Sequence, residues 1–417
     1  PSRITADMKA ERRILGNSAL LGMLEGAGQL VNLALVVLLA RAYGLEALGA
    51  YSFAMALGMV LGTFAGLGAT SYATRGLARE PARSAELLAL LGPPQRAAVL
   101  AAMVAFTVAA LWWPGAGESG AAVAAIASSQ LLARLTNFQL APAMARERFR
   151  LVAWLGFAER LLALALFSAA VASGVGVGVA SLAMPLAAAG ALAVATAVVR
   201  RDVGAPRSRP AAGSRLAAVR AALPFMWTLL VATLYQRGGL LVLTILGGAA
   251  AAGTFAAGER LLVPCALLYG TLASAALPAF SRLASDPEAL QDVAVRCQRI
   301  SLLATLGLAS MTAMLAPQLV DLVWDTPAPG AVPVLRVLAA GTALRSLSAL
   351  LATHCQALGA ETVGARVRVG VLASFAVLAP PATLLGGALG LAVATTLRDL
   401  VLVAGLARVL RRVQGRG

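Results

Sequence analysis

The stretch from Ile14 to Ala40, ILGNSALLGMLEGAGQLVNLALVVLLA, is apolar enough to cross a membrane, yet it carries a row of polar residues. Glu25, Gln29 and Asn32 recur at positions i, i+4 and i+7, which is the spacing of one face of a helix. A carboxylate near mid-membrane costs roughly 2.5–3.5 kcal/mol, so it normally faces protein or a water-filled cavity rather than lipid. The stretch therefore predicts a transmembrane helix with one wet or paired side, which indicates a conduit.

The rest of the chain has the composition of a membrane protein. Hydrophobic residues make up 60% of the sequence and charged residues only 12%, whereas soluble domains are about a quarter charged. The apolar runs are long and lack the alternation of strands, so they predict helices, whose backbone groups are all bonded internally. We expect twelve spans, near residues 14–40, 47–73, 97–113, 119–141, 151–173, 177–199, 221–246, 250–277, 300–323, 333–357, 369–385 and 387–407.

The basic residues predict how these helices are oriented. Most of the 34 Lys and Arg residues lie in alternate loops and at the two ends, and the opposite loops hold almost none. The positive-inside rule then places both termini in the cytoplasm. The same bias accounts for the net charge of +16, so nucleic-acid binding is not needed to explain it.

A polar interruption divides the predicted helices into two sets of six. It follows the sixth span and predicts an N-terminal six-helix bundle at 1–199, a cytoplasmic linker at 200–220 and a C-terminal six-helix bundle at 221–417. The predicted fold class is therefore an all-α integral membrane protein with two six-helix bundles.

The two halves resemble each other weakly, which predicts an internal repeat. The segment 44–51 (GLEALGAY) matches 248–255 (GAAAAGTF) at an offset of 204, and Arg134 matches Arg345 at an offset of 211. Six spans separate each matched pair, and an even number preserves direction, so the bundles would be related by a pseudo-two-fold axis along the membrane normal. Chance similarity in a chain rich in Ala, Gly and Leu is the alternative.

Charged residues within the predicted spans are the candidates for function, because they are costly in lipid. Three acid–arginine neighbours point to different sides of their helices, so each is expected to pair with another helix. These neighbours are Glu159–Arg160, Glu259–Arg260 and Arg398–Asp399.

Three further arginines, Arg134, Arg237 and Arg345, have no acid beside them in sequence. Arginine keeps its charge in almost any environment and binds phosphate oxygens through a planar fork, so these residues predict a cationic cavity for an anionic head group. Glu25 either neutralises an arginine such as Arg237 or forms a proton or sodium site that couples transport to an ion gradient. The alternative for the arginines is pairing of one with Glu25 and solvation of the others.

The sequence lacks the motifs of several enzyme classes. It has no GxxxxGK[ST] loop for ATP hydrolysis and no His, Cys and carboxylate cluster with the spacing of a metal centre. Its three cysteines lie within the spans or on their cytoplasmic side without metal-ligand spacing, which indicates packing thiols. We therefore expect no cofactor, no metal and no covalent chemistry.

Four segments resemble a known family. They are RILGNS at 13–18, LARAYGLEALGAY at 39–51, AGTFAAGERLL at 252–262 and LPAFSR at 277–282. They are similar to the polysaccharide exporters and flippases, including O-antigen flippases, of the multidrug/oligosaccharidyl-lipid/polysaccharide exporter superfamily. The resemblance implies alternating access between two six-helix bundles. It also implies that an undecaprenyl-pyrophosphate-linked oligosaccharide moves from the inner to the outer leaflet of a bacterial inner membrane.

With this resemblance, the polar residues of the spans acquire expected roles. Arg134, Arg237 and Arg345 would hold the pyrophosphate or acidic sugars, and Glu25 would couple or counterbalance the charge. Five residues would bind sugar hydroxyls: Gln29, Asn32, Gln130, Asn137 and Gln236. Expected partners are the lipid-linked oligosaccharide, membrane lipid, a polysaccharide polymerase and glycosyltransferases. The alternatives are a cation-coupled multidrug antiporter of the same superfamily and a membrane glycosyl-transfer enzyme, for which no large outward loop is visible.

Overall fold

The computed structural model describes residues 2–112, 117–203, 212–284, 286–325, 328 and 330–414. Within these ranges it describes the side chains from residue 23 onwards, except those of residues 81, 111, 212, 287, 361, 413 and 414. Within these ranges the secondary structure is helical. The helices are α1 Ser2–Ala65, α2 Ala69–Arg79, α3 Ser84–Trp112, α4 Gly117–Gln139, α5 Ala141–Ala145, α6 Phe149–Ala172, α7 Val177–Ala180, α8 Ala183–Val203, α9 Ala212–Arg260, α10 Val263–Arg282, α11 Pro287–Met314, α12 Ala316–Trp324, α13 Ala331–Ala357 and α14 Glu361–Gln414, with one 3₁₀ turn at Pro81–Arg83.

Most of each predicted span is helical, as far as the chain is described, although 47–73, 177–199, 250–277 and 300–323 each extend over two helices. Eight helices there are long and apolar enough to cross a membrane, and α11 with α12 forms a ninth candidate, bent by 71°. Three of the eight, α1, α9 and α14, are long because in each a glycine with non-helical backbone angles joins one predicted span to all or part of the next. The predicted all-α membrane fold is confirmed.

Two of these junctions have the same backbone conformation. Gly44 in α1 has φ 85° and ψ 175°, and Gly248 in α9 has φ 82° and ψ 174°. Glycine is the residue that adopts such positive φ angles without strain. The two positions are the ones that the sequence repeat aligns at an offset of 204, so the backbone agrees with the repeat at this point.

Contacts between residues divide the chain into two compact units. Unit 1 contains residues 1–38 and 54–233, and unit 2 contains residues 39–53 and 234–417. This partition differs from the predicted bundles because the segment 39–53 packs with the second half of the chain. The predicted linker is helical at both ends, up to Val203 and from Ala212, and its residues 204–211 lie outside the described part.

In unit 1, α4 is the central helix and packs against α3, α8 and the short helix α7. Helix α6 packs against α8. The apolar core of unit 1 joins Val99 of α3 to Leu131 and Leu135 of α4. In unit 2, α13 is central and packs against α10, α11 and α14.

Segment 39–53 contacts the rest of unit 2 at two separate places. A Cβ atom on Gly49 would overlap the carbonyl oxygen of Ala249, and one on Gly253 would overlap that of Leu45, so two backbones meet without side chains between them. Both glycines and both carbonyls are equivalent under the offset of 204, which makes this contact locally symmetric. In addition, Arg41 donates hydrogen bonds to the last carbonyl groups of α12, at 3.0 Å from Nε and 2.6 Å from Nη2.

Candidate functional site

The polar row of the first span forms an ion pair within unit 1. Arg160 of α6 donates from Nη2 to the Glu25 carboxylate, at 3.1 Å to Oε1 and 3.4 Å to Oε2. Gln29, one turn further along α1, donates to the same Oε1 at 2.9 Å. The sequence left open whether Glu25 neutralises Arg237 or forms a proton or sodium site, and Arg160 was not predicted as its partner. The structure pairs it with Arg160, and the expected interhelical pairing of Arg160 is confirmed.

A glycine makes room for this pair. Gly28 lies on α1 between Glu25 and Gln29, and a Cβ atom there would overlap Nη1 of Arg160. The guanidinium can therefore lie directly against the backbone of α1. The side chains of Arg160 and Glu25 are 34% and 54% exposed, so the pair is accessible from outside unit 1.

Arg134 lies where α4 crosses the part of α1 that follows Gly44. A Cβ atom on Gly62 would be 3.0 Å from its Cγ and 3.2 Å from its Nε, and one on Gly58 would be 2.8 Å from the Cα of Ala127. The glycines thus permit close contact of the two helices. Arg134 is half-buried, and its guanidinium forms no ion pair with the side chains that the structure describes.

Asp399 is the centre of a buried charged cluster in unit 2. Its Oδ2 accepts from Nε of Arg345 at 2.8 Å, and its Oδ1 accepts from Nη2 of Arg398 at 2.8 Å and from the Tyr235 hydroxyl at 2.8 Å. The guanidinium of Arg398 also lies over the rings of Tyr235 and Phe375, 4.0 and 4.9 Å from their centroids. The Asp399 side chain is only 1% exposed, and that of Arg398 is 7% exposed.

This cluster bears on two expectations. Arg345 has a carboxylate partner on another helix, although no acid adjoins it in sequence, and its role in holding a head group stays a prediction. Arg398 and Asp399 were expected to point to different sides of their helix, but they pair with each other through the long arginine side chain. Asp399 nevertheless also bonds to α9 and α13, so the pairing with other helices is confirmed.

Arg237 and Arg260 lie close to Tyr51 in the same unit. The guanidinium of Arg260 is 5.8 Å from the centre of the Tyr51 ring, and both arginines act electrostatically on its hydroxyl. Arg237 is half-buried, and its Nε is enclosed without a hydrogen-bond partner in the described part of the chain. No described carboxylate forms an ion pair with either arginine. Two cations therefore remain uncompensated near one phenol.

The other predicted sugar-binding residues have less defined surroundings. Asn137 and Gln236 are exposed, and Gln130 is half-buried with a long bond of 3.5 Å to the Ser129 hydroxyl. Asn32 is half-buried and takes part in an interaction within the structure. The roles of these four residues stay predictions.

Sequence reasoning did not single out Tyr235, Tyr51 or Arg260 as partners of these charges. Tyr235 precedes Arg237 by two positions on α9, so the two side chains point in different directions and reach different groups. The sequence carried one available signal, because Tyr51 and Arg260 both belong to the segments that resemble a known family. Among the described residues, no group of three or more His, Cys, Asp or Glu side chains could hold a metal ion.

The fold is that of transporters of the MOP superfamily. The lipid II flippase MurJ in an inward closed conformation matches with a TM-score of 0.76 over 94% of this chain and 87% of its own, at 15% identity. An inward-facing multidrug resistance MATE family transporter matches with a TM-score of 0.71 over 93% and 95% of the two chains, also at 15% identity. A MOP superfamily transporter from Pyrococcus furiosus, described by a reversed polarity of its binding pocket, reaches 0.65 over 96% and 95%, at 16% identity.

The family follows from the sequence itself. The model of the family described as "Polysaccharide biosynthesis protein" matches residues 97–326, which is more than half of the 417-residue chain. The chain therefore belongs to the polysaccharide biosynthesis protein family. No curated protein matches it significantly. The expected resemblance and the expected helical, two-bundle class of membrane fold are both confirmed.

Proposed function

We propose that this multi-pass membrane protein is a flippase for undecaprenyl-pyrophosphate-linked oligosaccharide units. It moves them by alternating access from the cytoplasmic to the outer leaflet of a bacterial inner membrane. The proposal rests on membership of a polysaccharide biosynthesis family and a fold shared with transporters, among them a lipid II flippase. Under this proposal the protein performs no covalent chemistry and uses no cofactor. Both of its termini lie in the cytoplasm.

One observation carries the choice of substrate class. Arg134 in unit 1, and Arg237 with Arg260 in unit 2, lie within spans and have no carboxylate partner among the described side chains. A buried arginine without a counter-ion is costly, so it is retained where a ligand supplies the negative charge. A pyrophosphate offers oxygens for several bidentate arginine contacts, which makes it a suitable ligand. Arg345 is left out of this set because it already has a carboxylate partner, Asp399, which it shares with Arg398.

The second candidate is a cation-coupled multidrug antiporter, which the fold also accommodates. The observation that favours it is Glu25, an accessible carboxylate within a span. A binding site for cationic drugs would need acids without arginine partners. Glu25 is already paired with Arg160, and the two span acids without an ion pair to a described side chain, Glu159 and Glu259, are outnumbered by Arg134, Arg237 and Arg260. The balance of uncompensated charge is positive, and we therefore prefer an anionic substrate.

The test is flipping of a labelled undecaprenyl-pyrophosphate-linked saccharide in reconstituted vesicles, followed with a membrane-impermeant quencher. Charge-assisted hydrogen bonds contribute roughly 1.5–3 kcal/mol each, and about 1.4 kcal/mol is a tenfold effect. Arg134→Ala and Arg237→Ala should each lower the initial flipping rate at limiting substrate by about tenfold or more. Arg83→Ala is the control, because this arginine pairs with Glu86 at the start of α3.

Normal flipping by both test variants at matched protein levels would contradict the assignment. Uptake of cationic dyes by the parent protein, without flipping of the lipid-linked saccharide, would support the antiporter instead. The proposed partners, a polysaccharide polymerase and glycosyltransferases, would supply the substrate and consume the product on the two sides of the membrane.

A further inference from the structure

The ion pair between Arg160 and Glu25 uses only part of the hydrogen-bonding capacity of its arginine. Both contacts to the carboxylate come from Nη2, and neither Nε nor Nη1 bonds to a described acceptor. A guanidinium has five N–H donors in a fixed planar fork. Arg160 therefore has donors that its contact with Glu25 does not use.

The surroundings of this pair differ from those of the buried cluster in unit 2. Asp399 is 1% exposed and bonded on both oxygens by three side chains, so its cluster is closed to ligands. Glu25 is 54% exposed, and only Arg160 and Gln29 hold it. A pair so accessible within a membrane span must face water or a polar ligand, because exposure of both charges to lipid would be too costly.

Gly28 lets the guanidinium of Arg160 lie directly against the backbone of α1. Any side chain there would overlap Nη1 of Arg160, so α1 presents a bare backbone beside the arginine. A structural ion pair needs contact between the two charged groups only. Contact of the guanidinium with the helix backbone instead fixes its plane, which is what a binding site for a planar or tetrahedral anion requires.

We propose that Arg160 is an anion-binding residue of unit 1 and that Glu25 occupies it as an exchangeable counter-ion. This inference rests on the proposed function and extends it: the phosphate or carboxylate groups of the substrate displace the Glu25 carboxylate from Arg160. The released Glu25 is then available to a cation. Anion binding and cation binding thereby favour each other, since each ligand benefits from the same separation of the pair.

Binding of inorganic pyrophosphate to the detergent-purified full-length protein, measured by isothermal titration calorimetry, tests this exchange. Glu25→Gln removes the competing charge but keeps the shape. Exposed ion pairs are worth roughly 0.2–1 kcal/mol, so this variant should bind pyrophosphate about 1.4- to fivefold more tightly. Arg160→Gln should weaken binding, and the double variant should bind like Arg160→Gln.

The control is the double variant Glu80→Gln/Glu86→Gln, which removes both carboxylate partners of the half-exposed Arg83 outside the spans. It should leave pyrophosphate affinity unchanged. Thermal unfolding checks that all variants are folded. If they are, equal or weaker pyrophosphate binding by Glu25→Gln would overturn the inference and assign the ion pair to stability alone. A gain of affinity in the control as large as in Glu25→Gln would also overturn it, because any released arginine would then suffice.

The two proposals fail separately. If Arg237→Ala still reduces flipping while Glu25→Gln does not tighten pyrophosphate binding, the flippase function stands and the exchange at Arg160 does not. If Glu25→Gln tightens binding but no lipid-linked saccharide is flipped, the anion site stands and its substrate belongs to another class.

Discussion

Replacing Asp399 with asparagine should be the most damaging single change among the charged residues of the spans. The carboxylate accepts bonds of 2.8–3.1 Å from Arg345 and Arg398 and one of 2.8 Å from Tyr235. Breaking a buried pair by removing one partner costs about 3–5 kcal/mol, because the other charge stays buried without compensation. Here two arginines, 21% and 7% exposed, would be left in that state. We expect Asp399→Asn to lower the free energy of unfolding by about 5 kcal/mol or more.

The measurement is unfolding of the purified protein in mixed micelles with increasing fractions of a denaturing detergent, followed by helix content. Glu25→Gln is the matched control, since it removes the same charge from a pair that is half-exposed. Its expected cost is about 1 kcal/mol or less. Asp399→Asn should also reduce the yield of protein in the membrane, and a second variant, Asp399→Glu, should recover part of both losses.

Similar unfolding free energies for Asp399→Asn and Glu25→Gln would refute this reasoning. Such a result would mean that water or lipid head groups reach the cluster and replace the lost charge. It would also restore Arg345 as a candidate for substrate binding.

Three further predictions follow from the described contacts. Gly49→Ala and Gly253→Ala should each cost roughly 1–3 kcal/mol or more in unfolding free energy, because the added methyl overlaps a backbone carbonyl, whereas Gly26→Ala, with open space around it, should be neutral. Arg41→Ala should increase hydrogen exchange in the last turn of α12, which loses both of its side-chain donors; unchanged exchange would show that water replaces them. In vesicles, Glu25→Gln should still bind substrate but lose the response of flipping to an imposed pH or sodium gradient, and a parent-like response to both would place the coupling elsewhere.

The helices and their functional class were readable from the sequence because both depend on composition and spacing along one chain. Apolar runs long enough for a bilayer predicted the spans, and α1, α9 and α14 each contain one span and all or part of the next. The match between Gly44 and Gly248 predicted equivalent junctions, and their φ and ψ angles agree within a few degrees. The i, i+4 spacing of Glu25 and Gln29 likewise predicted side chains that meet.

The pairing of charges was not readable, because it depends on which helix faces lie side by side. Arg345 and Asp399 are 54 positions apart, and no periodicity connects them. The same is true of Arg160 and Glu25, which lie 135 positions apart. Adjacency misled at Arg398, since its long side chain folds back to the neighbouring aspartate instead of leaving in the direction of its Cβ atom.

The sequence by itself determined that this chain crosses a membrane many times as helices, that its halves repeat, and that arginines dominate the charge within its spans. These properties follow from hydrophobicity, helical periodicity and residue counts, which are local or additive. Only the tertiary structure decided which arginines have a carboxylate partner, namely Arg345 and Arg398, which share Asp399, and Arg160, which pairs with Glu25. It also decided which have none among the described side chains, namely Arg134, Arg237 and Arg260. The physical reason is that an ion pair forms over about 3 Å in space, and packing of helices, rather than distance along the chain, sets that separation.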